Sequence, residues 1–443
     1  MLSNRFLNAS VLNGKSVKEH YEFLQPLIGA FKALKPQLTI HEMNRHMLAL
    51  MGPIQLWGQV AAALSLADDW EKSMAIAGLG ARLAHLSESQ REDLLTAALG
   101  LADDWDRAQA IAGFGAGLAA LEPRQQQALV TAALNLTSGW SKARAIAGLG
   151  AGLAALERPQ QQALVTAALG LADGEDKAYA IASLGGGLAA LERLQQEALI
   201  AAALNLTEES HKAQAIEGLG AGLTALERAQ LQELVKAALG LPDDWDKARA
   251  IAGLGAGLVA LERLQQEALV TAALDLAGGL QKAQAIGGLG AGLRALERPQ
   301  QQALVKAALG LAVGWHKSMA IAGLGAGLVA LDGTQQQALV TAALGLADGR
   351  NKARAIAGLG AGLAALERLQ QQELVTAALR LAEGFQKAEA IAGLGAGLAA
   401  LEVPQQQALV TAALGLPGAL NKAEAIAGLV NGYQASRGRD HLR

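Results

Sequence analysis

The pattern of apolar and polar positions repeats along this chain every 35 residues, without insertion or deletion between copies. One copy, Lys142–Glu157, reads KARAIAGLGAGLAALE. Its apolar positions Ile146, Leu149, Leu153 and Leu156 are spaced by three and four residues, which predicts one face of an α-helix. The basic residue that opens each copy lies at positions 72, 107, 142, 177, 212, 247, 282, 317, 352, 387 and 422. A fixed internal period of this length predicts stacked structural repeats.

Each repeat is predicted to contain an earlier, first helix as well. In one copy this helix covers 124–134, RQQQALVTAAL, and related copies place a proline just ahead of the glutamines, which suits a first helical turn. We expect the helix to end in a left-handed residue, followed by a leucine such as Leu136 that packs back against it. The closing position is occupied by Ser65, Gly100, Asn135, Gly170, Asn205, Gly240, Asp275, Gly310, Gly345, Arg380 and Gly415.

The turn between the two helices carries acceptors for helix N–H groups. In several copies Asp or Ser is followed three residues later by an acid or Ser, a spacing that resembles a capping box. Acids at these positions also favour the positive end of the second helix. The pairs are Asp68–Glu71, Asp103–Asp106, Ser138–Ser141 and Asp243–Asp246.

Glycines inside the second helix predict close packing. Gly148, Gly150 and Gly152 lie within it, and three glycines in one helix cost about 1.5–3 kcal/mol relative to alanine. Because nearly every copy repeats this cost, we expect a compensating contact, the simplest being close approach of a neighbouring helix. A membrane dimerisation face would use similar glycine spacing, but this stretch is short and is charged at both ends.

These elements predict an all-α fold, a right-handed superhelical solenoid of about 11 two-helix repeats. The repeats are assigned to 52–433. Residues 1–51 are interpreted as a flexible segment and an N-terminal helical cap, with helices at 17–34 and 40–50, because the ends of a solenoid need capping. Residues 434–443 are expected to form a polar, frayed C-terminal tail.

Composition excludes several classes of function. The net charge is −3, so no overall basic field attracts nucleic acid or an anionic membrane. The chain has no cysteine, which rules out disulfides and thiolate metal sites. Its apolar runs are shorter than the about 20 residues of a membrane span. Since the first residues also lack the apolar core of a signal peptide, we expect a cytoplasmic protein, or one secreted without a cleavable signal peptide.

No constellation of catalytic residues stands out. The seven histidines form no HExxH motif and no His–carboxylate cluster. The glycines of GLGAG lie inside a predicted helix, whereas phosphate-binding glycines follow a strand. We therefore predict no enzymatic activity, no metal site, no cofactor and no small-molecule substrate.

Three polar columns stay nearly constant between copies. They are a glutamine column that starts at Gln90, a basic column that starts at Lys72 and a glutamate column that starts at Glu122. We interpret them as structural, with glutamine satisfying turn backbone and with Lys and Glu pairing between repeats. The alternative is a ladder of lysines spaced to meet a repeating anion.

Two further columns are candidates for partner binding. The variable column, two residues after the basic residue, comprises Met74, Gln109, Arg144, Tyr179, Gln214, Arg249, Gln284, Met319, Arg354 and Glu389, and it ends at Glu424. The aromatic column, two residues before the basic residue, comprises Trp70, Trp105, Trp140, Trp245 and Trp315. Interfaces favour these residue types. The alternatives are a hydrophobic staple at the helix start for the tryptophans and drift at exposed positions for the variable column.

Over 52–430 the helix pair and its length resemble the HEAT-like and TPR-like α-solenoids. The repeats more loosely resemble those of bacterial TAL effectors, in Pro159-Gln160-Gln161, the turn 138–141 and Lys142-Ala143, although the Gly-Gly-Lys-Gln of that family is missing.

Our main prediction is a non-enzymatic α-solenoid scaffold that binds a protein or peptide along the edge formed by the turns and the start of each second helix. Near-identical copies suggest recent duplication, as in bacterial effectors or host-interaction proteins. The TAL-effector resemblance implies the alternative, a modular DNA or RNA reader. A membrane-surface protein is the third hypothesis.

Overall fold

A computed structural model describes Leu56 and residues 58–440 of this protein. Throughout this part of the chain the regular elements are helices and no strand occurs, so the protein is an all-α solenoid, as predicted. The cap predicted for residues 1–51 lies outside the described residues. The handedness of the superhelix stays a prediction.

Each complete repeat consists of a first α-helix, a second α-helix and a short 3₁₀ helix. After a helical segment at 58–65, the first helices are Glu88–Leu99, Pro123–Asn135, Arg158–Leu169, Arg193–Leu204, Arg228–Gly240, Arg263–Asp275, Arg298–Gly310, Gly333–Leu344, Arg368–Arg380 and Val403–Gly415. The second helices are Asp69–Gly80, Asp104–Phe114, Gly139–Gly150, Glu175–Leu184, Glu209–Leu219, Asp244–Leu254, Gly279–Leu289, Gly314–Leu324, Gly349–Leu359, Gly384–Gly395 and Ala419–Asp440. The 3₁₀ helices are Leu83–His85, Gly115–Ala120, Leu153–Ala155, Gly185–Ala190, Gly220–Ala225, Gly255–Ala260, Gly290–Ala295, Gly325–Ala330, Gly360–Ala365 and Leu398–Ala400.

The second α-helix is shorter than the sequence pattern predicts. The α-helix expected over Lys142–Glu157 ends at Gly150, and the 3₁₀ helix Leu153–Ala155 follows after Gly152, which has φ −110° and ψ 18°. The prediction was wrong here because leucines spaced by three residues fit a 3₁₀ turn as well as an α-helix. Glycine, which weakens α-helix propagation, then favours the change. At the other end of the chain, the last second helix continues past position 433 to Asp440.

The glycines of the second helix mark close backbone contacts, as predicted. A methyl group placed on Gly148 would overlap the Cα, Cβ and carbonyl oxygen of Ala112 in the preceding repeat. One placed on Gly150 would lie 2.9 Å from the carbonyl oxygen of Ser183 in the following repeat. At Gly78, the counterpart of Gly148 in the first repeat, no described atom lies within 4 Å of the methyl position. Close approach of adjacent second helices therefore explains why these positions are glycine.

A continuous apolar core runs along the solenoid. In one repeat the fully buried side chains include Leu129 and Ala133 of the first helix and Ile146 and Leu149 of the second. Consecutive second helices pack along most of their length, whereas consecutive first helices contact each other more sparsely. The second helices of adjacent repeats are therefore more closely spaced than the first helices.

Two adjacent glutamines in most repeats fix the start of the first helix. The backbone N–H of Glu157 donates to Oε1 of Gln160 at 2.9 Å. Nε2 of the neighbouring Gln161 donates to the carbonyl oxygens of Leu153 and Leu156 at 3.0 and 2.9 Å, which closes the preceding 3₁₀ helix. The structural interpretation of the glutamine column is thus confirmed.

The first helix does not end in the predicted left-handed residue. Gly100 has φ −83° and Asn205 has φ −91°, and among the described residues positive φ occurs only at Gly174 and Gly418. The leucine that follows, such as Leu136, is extended and buried. The prediction was wrong because burial of this leucine draws the chain directly into the turn, so no left-handed residue is needed to end the helix.

Candidate interaction surface

The turns and the first turns of successive second helices form one edge of the solenoid. Oδ1 of Asp103 accepts a hydrogen bond from the N–H of Trp105 at 2.8 Å, and Oγ of Ser138 accepts from the N–H of Ser141 at 3.4 Å. The predicted N-cap role is confirmed for these residues. The reciprocal bond of a complete capping box is absent from the second helices in the described chain, and occurs at the first helices instead.

The aromatic column lies on this edge and is largely open to solvent. Trp140 is half-buried because its ring is stacked between those of Trp105 and Tyr179, with centroid separations of 6.2 and 5.5 Å. Phe385 continues the column as another exposed aromatic residue. The exposed fraction is 40–57% at Trp70, Trp105, Trp245 and Trp315. Packing at the helix start alone does not account for this exposure.

The variable column forms a strip in which adjacent repeats touch. From Gln109 to Glu389 its members are all partly buried, whereas Met74 is exposed. Nε and Nη2 of Arg144 donate to Oε1 of Gln109 at 2.9 and 2.7 Å, and Nη1 donates to the hydroxyl of Tyr179 at 3.3 Å. The column is therefore a connected surface across these repeats.

Charged groups also meet the column further along the edge. Nε of Arg249 donates to Oε2 of Glu217 at 2.6 Å, in the preceding repeat. Cζ of Arg354 lies 5.8 Å from the ring centroid of Trp315, which is a cation–π contact. Burial raises the pKa of Glu389, although the guanidinium of Arg354 opposes this shift.

Carboxylates dominate the turns of the first two repeats. The hydroxyl and amide of Thr137 both donate to Oδ2 of Asp104, at 2.6 and 2.7 Å, and these bonds hold the pKa of Asp104 below its usual range. Asp106 is buried and accepts a long hydrogen bond of 3.5 Å from Oγ of Ser73. Burial, followed by the carboxylate of Asp103, raises the pKa of Asp106. The carboxylates of Asp103 and Asp106 therefore repel each other, whereas Asp104 links two adjacent turns through its hydrogen bonds with Thr137.

In two repeats the residue of the basic column contacts its own turn. Nε and Nη2 of Arg107 donate to the carbonyl oxygen of Leu101 at 3.0 and 2.7 Å, and Nη1 pairs with Asp104 at 3.0 Å. Nζ of Lys212 pairs with Glu209 at 3.2 Å in the same way. These contacts support the structural interpretation of the column.

The glutamate column pairs with arginine rather than with lysine. Nη1 of Arg158 lies 3.2 Å from Oε1 of Glu192, and Nη1 of Arg263 lies 3.1 Å from Oε1 of Glu297. The predicted Lys–Glu pairing was wrong because these glutamates cap the first helices, where an arginine at the first position of a neighbouring first helix reaches them, whereas the lysines lie at the starts of the second helices.

Sequence reasoning missed a set of exposed leucines at the starts of the first helices. Leu194, Leu264 and Leu369 are 70–76% exposed. The available signal was a leucine at a position where other copies have proline, next to the glutamine column. These leucines lie in non-adjacent repeats, so they do not form a continuous apolar strip.

Other types of site have no counterpart in the described residues. Within Leu56 and 58–440, no three His, Asp or Glu side chains are grouped to hold a metal ion. No helix in the same part of the chain is long and apolar enough to cross a membrane.

Neither a protein-family model nor a curated protein matches the chain. Among solved structures, it is similar to a crystal structure of a Kap121p mutant, with 12% sequence identity and a TM-score of 0.38. The match covers 96% of this chain and 54% of that one, so the chain spans about half the length of Kap121p in that structure. At this identity and TM-score, the similarity adds nothing to the helical-repeat architecture described above.

Proposed function

We propose that this protein is a non-enzymatic repeat scaffold that binds a protein or peptide partner along the edge formed by its turns. The aromatic column carries this proposal. Only 3% of the residues are aromatic, yet five of the six tryptophans recur in one register on one edge. Large exposed apolar side chains arranged in a row mark interaction sites, whereas scattered ones do not.

The variable column supports the same surface. It changes from repeat to repeat beside positions that scarcely change, and its side chains line the edge next to the tryptophans. Tryptophan, tyrosine and arginine contribute most of the binding free energy at many interfaces. Stacking holds Trp140 and Tyr179 in place, so their rings lose little freedom when a partner binds.

The alternative of nucleic-acid reading has less support on this edge. Two of the basic residues expected to meet phosphates, Arg107 and Lys212, are engaged with their own turns. Carboxylates such as Asp103 and Asp104 flank them and would repel a phosphate backbone.

The proposal is tested by selecting peptides from a random display library on the whole chain and measuring their affinity by fluorescence anisotropy. The edge variant replaces Trp70, Trp105 and Trp140 with alanine. The matched control variant replaces the equally apolar, exposed Leu194, Leu264 and Leu369 with alanine. Far-ultraviolet circular dichroism and thermal melts check the folding of both.

We expect the edge variant to bind the selected peptides at least about tenfold more weakly, because tryptophan anchors commonly contribute this much. The control variant should bind like the unmodified protein. Equal losses in both variants would refute the edge as the binding surface. A failure to select peptides, together with salt-sensitive binding of random DNA or RNA at physiological salt, would favour the nucleic-acid alternative.

A further inference from the structure

We infer that the first four repeats of this edge bind a peptide rich in lysine and arginine in an extended conformation. The inference rests on the proposed function and specifies the chemistry of the partner. It depends on the aromatic spacing, on the exposure of the rings and on a change of charge along the edge.

Aromatic rings in these repeats are spaced like alternate side chains of an extended peptide. The centroids of Trp105, Trp140 and Tyr179 follow each other at 6.2 and 5.5 Å. An extended chain rises about 3.3 Å per residue, so side chains on one face recur about every 6.6 Å. A peptide lying along the edge would therefore present one such side chain to each repeat.

The exposed rings suit cationic side chains. Lysine and arginine bind the face of tryptophan through the ring quadrupole. The chain itself makes this contact on the same edge further along, where the guanidinium of Arg354 lies over Trp315 at 5.8 Å. Among the described residues no basic side chain covers Trp70 or Trp105 in this way. Both side chains are exposed, so the ring of Trp70 and the face of Trp105 that is not stacked on Trp140 are open to a cation supplied by a partner.

The charge of the edge changes sign along the chain. The segments 66–74, 101–109, 136–144 and 171–179 together contain nine acidic and five basic residues. The corresponding segments of the last five repeats contain four acidic and seven basic residues. The two segments between them, 206–214 and 241–249, contain five acidic and three basic residues. The acidic side of the edge, which attracts a basic partner, thus covers the first six repeats, and the first four of these carry Trp70, Trp105 and Trp140.

Several acids of these repeats have no internal partner. The side chains of Asp69, Glu71 and Glu175 make no hydrogen bond or ion pair within the described chain, and Glu71 and Glu175 are exposed. Arg107, by contrast, is already held by Asp104 and by turn carbonyls. Asp69 and Glu71 adjoin Trp70 in the chain, and Glu175 occupies the aromatic-column position of the fourth repeat, so these carboxylates complement lysine and arginine side chains on a bound peptide.

The test uses three labelled peptides of about 12 residues, enough to cross four repeats at two residues per repeat. All three contain two leucines and a central proline, which prevents helix formation. The remaining positions are all lysine in one peptide, all glutamate in the second and all serine in the third. Affinities for the whole chain are measured by anisotropy at low and physiological salt.

We expect the lysine peptide to bind at least about tenfold more tightly than the serine peptide, with an advantage that shrinks at high salt, where charges are screened. The glutamate peptide should not bind. A variant carrying Asp69→Asn, Glu71→Gln and Glu175→Gln should lose most of the lysine preference. The matched control carries Glu88→Gln, Glu233→Gln and Glu373→Gln on the first helices, and should keep it. Trp105→Ala should weaken the lysine peptide far more than Trp315→Ala.

Each contrary result has a separate meaning. Equal binding of the serine and lysine peptides, abolished by loss of Trp70, Trp105 and Trp140, would overturn the basic partner while leaving the proposed function standing. Equal losses in the two charge variants would show non-specific attraction to net charge, and would also overturn the inference. If none of the three peptides binds, the inference fails, and the library selection described above decides the proposed function on its own.

Discussion

Gly288 offers a sharp test of the packing between second helices. It lies in the helix Gly279–Leu289, and an added Cβ would overlap the Cα and Cβ of Ala252 in the preceding repeat and lie 2.6 Å from its carbonyl oxygen. The substitution Gly288→Ala therefore forces a methyl group against backbone atoms, which cannot rotate away. The matched control is Gly310→Ala, since no atom lies within 4 Å of the added methyl group there.

The expected magnitude follows from these contacts. Non-bonded carbon atoms prefer separations of about 3.5–4.0 Å, so the two helices must separate by about 1 Å to accept the methyl group. Overpacking of this kind costs about 1–3 kcal/mol, occasionally more. Alanine regains about 1 kcal/mol of helix propensity over glycine. Because the clash involves backbone on one side, we expect Gly288→Ala to lower the free energy of unfolding by about 2 kcal/mol.

The assay is urea denaturation followed by circular dichroism, with amide hydrogen exchange to locate the change, because repeat arrays need not unfold in one step. Gly310→Ala should be neutral or stabilise the protein by up to about 1 kcal/mol. If Gly288→Ala stabilised the protein as much as Gly310→Ala, the close approach of second helices would be refuted.

Three further predictions concern polar groups. Gln301→Ala removes the donor of hydrogen bonds to two carbonyl oxygens at 2.9 Å, and should lower the free energy of unfolding by about 1–3 kcal/mol. The control, substitution of the exposed Gln302 by alanine, should change it little. Equal effects of the two substitutions in urea denaturation would contradict the role of Gln301. Burial raises the pKa of Asp106, so the charged carboxylate opposes folding. The free energy of unfolding therefore falls as the pH rises from the pKa of Asp106 in the unfolded chain to its higher pKa in the folded protein. Asp106→Asn should therefore raise the melting temperature at neutral pH, with a gain that disappears below about pH 4; a gain that is independent of pH would count against this explanation. Arg158→Ala breaks a largely exposed pair with Glu192 and should change the free energy of unfolding by less than about 1 kcal/mol; a larger loss would show that these pairs hold the repeats together.

The period of the sequence predicts more than the repeat architecture. Residues 35 apart occupy equivalent places in adjacent repeats, so consecutive members of the variable column are spatial neighbours. The contacts of Arg144 with Gln109 and Tyr179 follow from this. The close approach at Gly148 was likewise predictable, because a repeated helical glycine needs a compensating contact.

Other features depend on competition between local conformational preferences and packing, which the sequence pattern does not show. The leucines after Gly150 satisfy α-helical and 3₁₀ spacing equally well, so their spacing alone did not predict the 3₁₀ turn. The glycine at position 100 suggested a left-handed cap, but the buried leucine that follows it determines the path of the chain. The burial of Asp106 was also unpredictable, because acids at equivalent turns, such as Asp246, are less buried.

The location of a bound partner tests the central claim most directly. Selected peptides carrying a photo-reactive group would be cross-linked to the whole chain, and the cross-linked residues identified by mass spectrometry. We predict cross-links confined to the turns and the starts of the second helices, centred on Trp70, Trp105 and Trp140. Cross-links concentrated at the starts of the first helices, around Leu194 and Leu264, would contradict the proposed binding edge.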